Sequence, residues 1–342
     1  MKRGEFKNKI DPAPEIEHLR AKVHQLEERL TSKKLTSGEI SEEMSEVRGL
    51  VRTARPPAIL FKPDGAAGSP VIHVVHATDW HIGQRTNPEH IEEFGAFDYE
   101  IAVARVAKFA QDIINKTAAA RKAYSVDTCH VIGTADWVSG DIHGELVRTN
   151  EFPCPVQAVK SGYLFGSLIL GLSQHFKTVE VDVLTAGNHD RITRKPQAED
   201  GGLNSWGYIA CEIAKQFLSA CPNVRFRIHL GLSDIINVGQ LRYLITHGHG
   251  IVGTWGLPWY GLDRRKQREA MARMNMPEEK HFDKIILGHF HASVNHEHWQ
   301  IGGSLTGTGS FDHFQGRHSP AHQTSWFSHP VHGEFDWSRW HL

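Results

Sequence analysis

Asp79 and His81 stand one residue apart directly after the apolar run VIHVVHAT, and four more polar clusters follow comparable runs. These are Asp136 in GTADWV, the tetrapeptide GNHD with Asn188, His189 and Asp190, His247 before Gly248, and His289 with His291 in GHFH. In an α/β sheet, ligands bind in the loops beyond the carboxyl ends of the strands, so five such ends can converge on one place. Asp, His and Asn make a mixed oxygen and nitrogen donor set, suited to manganese, iron, zinc or a related divalent ion and too rich in nitrogen for calcium. The seven candidate ligands Asp79, His81, Asp136, Asn188, His247, His289 and His291 are too many for one ion. Two ions about 3.5 to 4 Å apart, bridged by a carboxylate and a water or hydroxide, would use them all and suit in-line attack on phosphorus.

Strands must carry these clusters, and from Val71 onward short β-branched runs alternate with amphipathic stretches, the pattern of a layered α/β domain. Strands are predicted over 71–76, 128–132, 179–184, 224–229, 241–246 and 284–287, and helices over 99–117, 156–173 and 206–219. About fifty residues follow Ser293, enough for a few closing strands and too few for a separate capping domain. Trp326, Trp337 and Trp340 are expected to close the sandwich. Ahead of this domain, Ile16, Leu19, Val23, Leu26 and Leu30 follow heptad spacing, and Ile40, Met44, Val47 and Val51 resume it after a break at Thr36 to Gly38. Thr36 with Glu39 resembles a capping box. The expected organisation is a helical, coiled-coil-like segment over 1–56, a Pro- and Gly-rich linker over 57–70, and a catalytic domain over 71–342. So narrow a stripe cannot bury itself, so it should pair with another copy or pack on the main domain, and homo-oligomerisation through the N-terminal helices is the expectation adopted.

Composition narrows the setting. The chain has 342 residues, 40% apolar and 23% charged, with a formal net charge of −1, so no global basic field advertises nucleic acid. Any attraction to phosphate must come from a local patch or from bound cations. No stretch approaches the roughly 20 apolar residues of a membrane span, and no signal peptide is evident. The four cysteines show no CxxC pairing, which fits a reduced, cytoplasmic protein without a membrane partner.

With these motifs in order, the sequence resembles the calcineurin-like metallophosphoesterase superfamily, whose series is DxH, GDxx, GNH[D/E], a His usually followed by Gly, and GHxH. The resemblance implies a four-layer αββα sandwich. It also implies that Asp79, His81 and His291 hold the first of two divalent ions, that Asn188, His247 and His289 hold the second, and that Asp136 bridges them. His189 would protonate the leaving oxygen or stabilise the transition state, with Asp190 orienting its imidazole. One departure is Ala135, where the family usually has glycine before the aspartate, and a slightly different loop is expected there. A competing registration through Gly140, Asp141, His143 and Gly144 matches the opening GDxHG of Ser/Thr protein phosphatases, but the GDxxDRG segment of that family is missing.

Several residues have blander readings. His73, His76 and His130 lie inside strands and are expected at the core or an edge, and His249 is expected to support a ligand from behind. Arg191, Arg194 and Lys195 either meet substrate phosphates or form a solvated loop. Arg264, Arg265, Lys266 and Arg268, on a predicted helix, read as a solvated face. Trp255, Trp259 and Tyr260 are placed in a Gly/Pro-rich loop, where they either stack on a base or pin the loop by packing, and packing is the reading adopted. HATDWHIG, and the pairing of HG with GHFH, look most like the DNA-repair exonuclease branch, which implies nucleic acid as substrate and manganese as the ion, with iron, zinc, nickel or magnesium also fitting. The compact ending and VSGDIHGELVRT are similar to phosphoesterases encoded by bacteriophages, which would place the protein in the host cytoplasm. The reading adopted is a DNA nuclease working through a metal-activated water. A phosphodiesterase or phosphatase for a small or cyclic nucleotide, and a non-catalytic assembly module, are the alternatives.

Overall fold

The computed structural model describes residues 68–195, 202–251 and 257–342, together with Ala21. The chain divides into two units, Met1–Asp64 and Gly65–Leu342, and the second carries every element named below. The heptad seam proper lies outside the described residues, as does Trp255.

Adjacent residues of each buried strand feed different cores, which explains why the strands read as unbroken apolar runs. Strands β1 (Ser69–Ala77), β2 (Tyr124–Gly133) and β3 (Thr178–Leu184) send Val75, Val131 and Val183 to one face, where they meet Phe109, Ile113, Phe165, Leu168 and Leu172. Those partners come from helices α1 (Tyr99–Ala120) and α2 (Cys154–Ser173), with α3 (Trp206–Phe217) beside them. The neighbouring Val74, Ile132 and Leu184 turn the other way and pack on a second sheet through Ile236, Tyr243, Ile245 and Ile286. These belong to β5 (Ser233–Val238), β6 (Leu241–Thr246) and β7 (Lys284–Leu287). Leu244, Ile285 and Leu287 then face outward to Leu262 of α4 (Trp259–Arg273) and to Trp299. Helix, sheet, sheet and helix follow in that order, giving a four-layer αββα sandwich, as expected.

The first sheet runs β11-β10-β1-β2-β3-β4, with β4 (Val224–His229) at one edge and β10 (His322–His329) and β11 (Gly333–His341) at the other. Strands β1 to β4 are parallel, and β10 pairs antiparallel with β1. The second sheet runs β5-β6-β7-β9-β8, where β8 is Val294–Asn295 and β9 is Trp299–Ile301. Its β6, β7 and β9 are parallel. The carboxyl ends of β1, β2, β3, β6 and β7 therefore emerge on one side, each leading into a motif.

All six predicted strands and all three predicted helices form. Trp259 and Tyr260, expected in a loop, open α4 instead. Trp259 packs edge-on against Trp299 with ring centroids 4.9 Å apart, while Tyr260 is exposed. Trp326 is fully buried between the sheets, and Trp337 and Trp340 pack at the margins of the two cores. No helix among the described residues is long and apolar enough to cross a membrane.

Candidate metal centre

Three of the five candidate ligand loops are held by an aromatic neighbour. Trp80, between Asp79 and His81, is buried in the helix-side core, Trp137 beside Asp136 donates its indole N–H to the Leu184 carbonyl at 2.9 Å, and Phe290 between His289 and His291 packs on the outer core. With the middle residue anchored, Asp79 and His81 adopt φ of 53° and 46°, and His289 and His291 adopt 71° and 55°. Asp136 is also left-handed at 54°. Non-glycine residues in this region carry strain of about 1–3 kcal/mol each, and such strain collects at functional sites. Ala135 has φ of 74°, in the left-handed region that glycine favours, so the alanine bears the cost. Gly187 and Gly288 are required by closeness. A Cβ at Gly187 would strike the Asp136 carboxylate, and one at Gly288 would strike Thr78 Oγ1 and the Asp79 carboxylate.

The seven candidate ligands come together as two groups. In the first, His81 Nε2 lies 3.1 Å from His291 Nε2, and Asp79 Oδ1 is 3.4 Å from His291 Nε2 and 3.8 Å from His81 Nε2. In the second, Asn188 Oδ1 lies 3.0 Å from both His247 Nε2 and His289 Nδ1, and His247 Nε2 is 3.0 Å from Asp136 Oδ2. Asp136 Oδ2 is also 3.9 Å from His81 Nε2, so this one oxygen faces both groups. Asp141 and His143 of the competing registration belong to neither.

The electrostatics favour positive charge. Burial opposes protonation of His247, yet Asp136 and Asp79 outweigh it and raise the imidazole to about 9. Burial likewise opposes protonation of His291, and Asp312 with Asp79 raises it to about 10. Burial works against ionisation of Asp79 and Asp136, but the surrounding imidazoles hold both carboxyls well below the usual carboxylate range. A pair of buried carboxylates facing converging imidazole nitrogens and an amide oxygen fits divalent cations, which would take the place of the bound protons.

Supporting contacts fix which imidazole nitrogen points inward. His247 Nδ1 donates to the Thr134 carbonyl at 2.8 Å, and His291 Nδ1 meets Asp312 Oδ2 at 3.2 Å, leaving Nε2 of each toward the centre. Asp312 comes from the short helix α5 (Ser310–Phe314) and is invisible to motif reading. Asp79 is steadied by Thr78 Oγ1 at 2.7 Å and by the His289 backbone N–H at 3.0 Å. A buried chain runs onward from Thr78 Oγ1 to Thr134 Oγ1 at 2.7 Å and to His76 Nε2 at 2.8 Å.

His189 sits with its ring 4.6 Å from that of His81, and its backbone N–H donates to Asp136 Oδ1 at 2.9 Å. Asp190 does not orient it. The Asp190 carboxylate accepts from the backbone N–H groups of Asp136, Trp137 and Val138 at 2.7, 2.8 and 3.2 Å, so its role is to brace the second ligand loop. Burial and the neighbouring Asp136 push the Asp190 carboxyl well above its usual range, against those N–H donors. The Ser139 carbonyl orients His189, accepting from Nδ1 at 2.7 Å, which turns Nε2 toward the ligand groups. His189 is lowered to about 4, chiefly by burial. His249 lies beside the second group, with ring centroids 5.6 Å from His247 and 6.4 Å from His289; among the described residues it makes no hydrogen bond to a ligand. The α4 basic run is not simply solvated, because Lys266 Nζ donates to the Asp283 carbonyl at 2.5 Å and Arg265 pairs with Glu269 at 2.7 Å.

No protein-family model matches the chain, and no curated protein matches it. Among solved structures it is similar to a single mutant of Vps29 from Entamoeba histolytica, with 14% identity, a TM-score of 0.29, and coverage of 79% of this chain and 99% of that one. A novel archaeal phosphodiesterase shows 9% identity, a TM-score of 0.33, and coverage of 79% and 99%. A predicted phosphoesterase from Streptococcus pneumoniae TIGR4 shows 10% identity, a TM-score of 0.25, and coverage of 53% and 91%. These are remote likenesses.

Proposed function

We propose that this protein is a calcineurin-like metallophosphoesterase that hydrolyses phosphodiesters, with DNA as its substrate. The observation that carries the reading is the placement of Asp136 Oδ2 toward both ligand groups, which provides for two cations side by side. Bound there, the cations would supply an activated water and neutralise charge on the phosphoryl oxygens. The chain's own contribution centres on His189. Its Nδ1 is committed to the Ser139 carbonyl, so Nε2 is the atom able to hand a proton to the leaving oxygen. Protonation of Nε2 makes the ring an imidazolium, a form that burial disfavours and that an anionic substrate beside it would favour.

Manganese is the ion proposed, on the resemblance of HATDWHIG and GHFH to the DNA-repair exonuclease branch, and a bacteriophage origin rests on the likeness of VSGDIHGELVRT. Self-association is proposed for the heptads of the N-terminal segment. The test is hydrolysis of bis-p-nitrophenyl phosphate and of labelled single- and double-stranded DNA, with manganese and then with EDTA, for wild type and His189→Ala. DNA cleavage that needs manganese and is lost in the variant supports the nuclease. Cleavage of the small diester alone moves the assignment to a nucleotide phosphodiesterase, and no metal-dependent hydrolysis of either overturns the proposal.

A further inference from the structure

The flanks of the two ligand groups differ in charge. On the side of the first group, Asp312 holds His291, and Glu92, 3.9 Å from His313 of the same helix, adds a second acid next to Glu93. On the side of the second group, the turn from Gly248 to Gly250 presents His249, exposed, tilted against the His247 ring and edge-on to that of His289. Arg265 of α4 reaches this turn, with Nη1 3.8 Å from the position a Cβ on Gly250 would occupy. Its Nη2 pairs with Glu269, but that carboxylate is shared with Arg273, so the three side chains keep a net positive charge. The Nε of Arg265 is buried and has no hydrogen-bond partner among the described residues.

We infer that His249 and Arg265 form a subsite for a second, non-scissile phosphate, so that diesters with a phosphate next to the one cleaved are preferred. The inference rests on the phosphodiesterase reading and deepens it. The Nη1 of Arg265, at this turn beside an imidazole, suits an anion that accepts several hydrogen bonds at once. The acidic flank beside the first group repels such an anion, which fixes the side on which the rest of the substrate lies.

The experiment compares three thymidine dinucleotides with manganese: one without a terminal phosphate, one with a 5′-phosphate and one with a 3′-phosphate. Wild type is expected to prefer one phosphorylated form over the bare form by about ten-fold or more in kcat/KM, the scale of one charge-assisted hydrogen bond. In Arg265→Gln that preference should shrink to near unity, mainly through KM, and Arg265→Lys should restore part of it. A wild type without preference for either phosphorylated form, or a preference intact in Arg265→Gln, overturns the subsite. If wild type hydrolyses neither the dinucleotides nor bis-p-nitrophenyl phosphate, the phosphoesterase reading itself fails and the subsite falls with it.

Discussion

His73 and His130 lie inside strands of the first sheet, whereas His81, His247, His289 and His291 lie just beyond strand ends, and the two sets are bonded in opposite ways. Around His73, Thr117 Oγ1 stands at 2.7 Å from Nδ1 and Ser325 Oγ at 3.1 Å from Nε2, so each ring nitrogen has a neutral partner. His130 belongs to a closed ionic net in which Asp182 meets His130 at 2.7 Å, His229 at 2.8 Å and Arg227 at 2.7 Å. At the strand ends, imidazole nitrogens converge on one another and on carboxylates, and the backbone beneath them is left-handed at His81, His289 and His291. His73 and His130 are as buried as His81 and His247, so burial does not mark function. What marks it is a cluster whose charges are completed by nothing else among the described residues.

The comparison is attacked most directly at His189. His189→Ala should lower kcat by about 10² to 10⁴, the range for loss of a general acid, while metal content measured by elemental analysis stays level. A variant with wild-type turnover removes His189 from the chemistry.

The strand network should answer differently. Asp182→Asn breaks a buried ionic net and should cost about 3 kcal/mol of stability, read by urea unfolding, with kcat unchanged in the folded fraction. Burial works against ionisation of Asp182, yet Arg227, His130 and His229 hold its carboxyl below the usual range. A folded value below the unfolded one means this stabilisation is complete above about pH 4 and is lost as pH falls toward the folded value. His229 is raised by Asp182 and Asp234 against burial, so its share is present below its unfolded value and lost as pH rises through its folded one. Wild type should therefore show a steeper acid decline than Asp182→Asn; parallel curves would remove the carboxylate from the account.

Asp312→Asn sharpens the contrast from the other side. The change keeps the shape beside His291 and removes its charge, and it should weaken metal binding by about 10 to 100-fold with little change in melting temperature. Equal metal affinity would reduce Asp312 to a helix-capping residue. The smallest effect is expected for Ala135→Gly, where relief of left-handed strain is offset by loss of a buried methyl and a looser unfolded chain. The net change should stay within about 1 kcal/mol, with activity retained.

Much of the fold was legible because the parallel strands are covered on both faces, which forces long β-branched runs. The convergence of the candidate ligands was legible because each run ends in a polar motif. β5 was missed although Gly239 and Gln240 form a two-residue hairpin loop before β6, with Gly239 at φ of 60°, a signal that sequence carries. β8 and β9 are too short to show a period. Asp190 was misplaced because adjacency in the chain was taken for adjacency in space: its side chain turns toward the loop after β2, and a backbone carbonyl does the work assigned to it. Ser139, Thr134 and Asp312 were missed for the same reason, since the partner of an imidazole is chosen by tertiary position.

Gln323 on β10 closes the loop that positions Asp79: its Oε1 accepts the Thr78 N–H at 2.9 Å and its Nε2 donates to the Thr78 carbonyl at 3.0 Å. Those residues are 245 positions apart, so the first ligand loop cannot set until a late part of the chain has been synthesised and inserted beside β1. Such distant pairing is slow to form. A ribosome-bound chain that stops short of β10 lacks this clamp, and the loop that carries Asp79 stays unbraced until β10 has been made and has paired with β1.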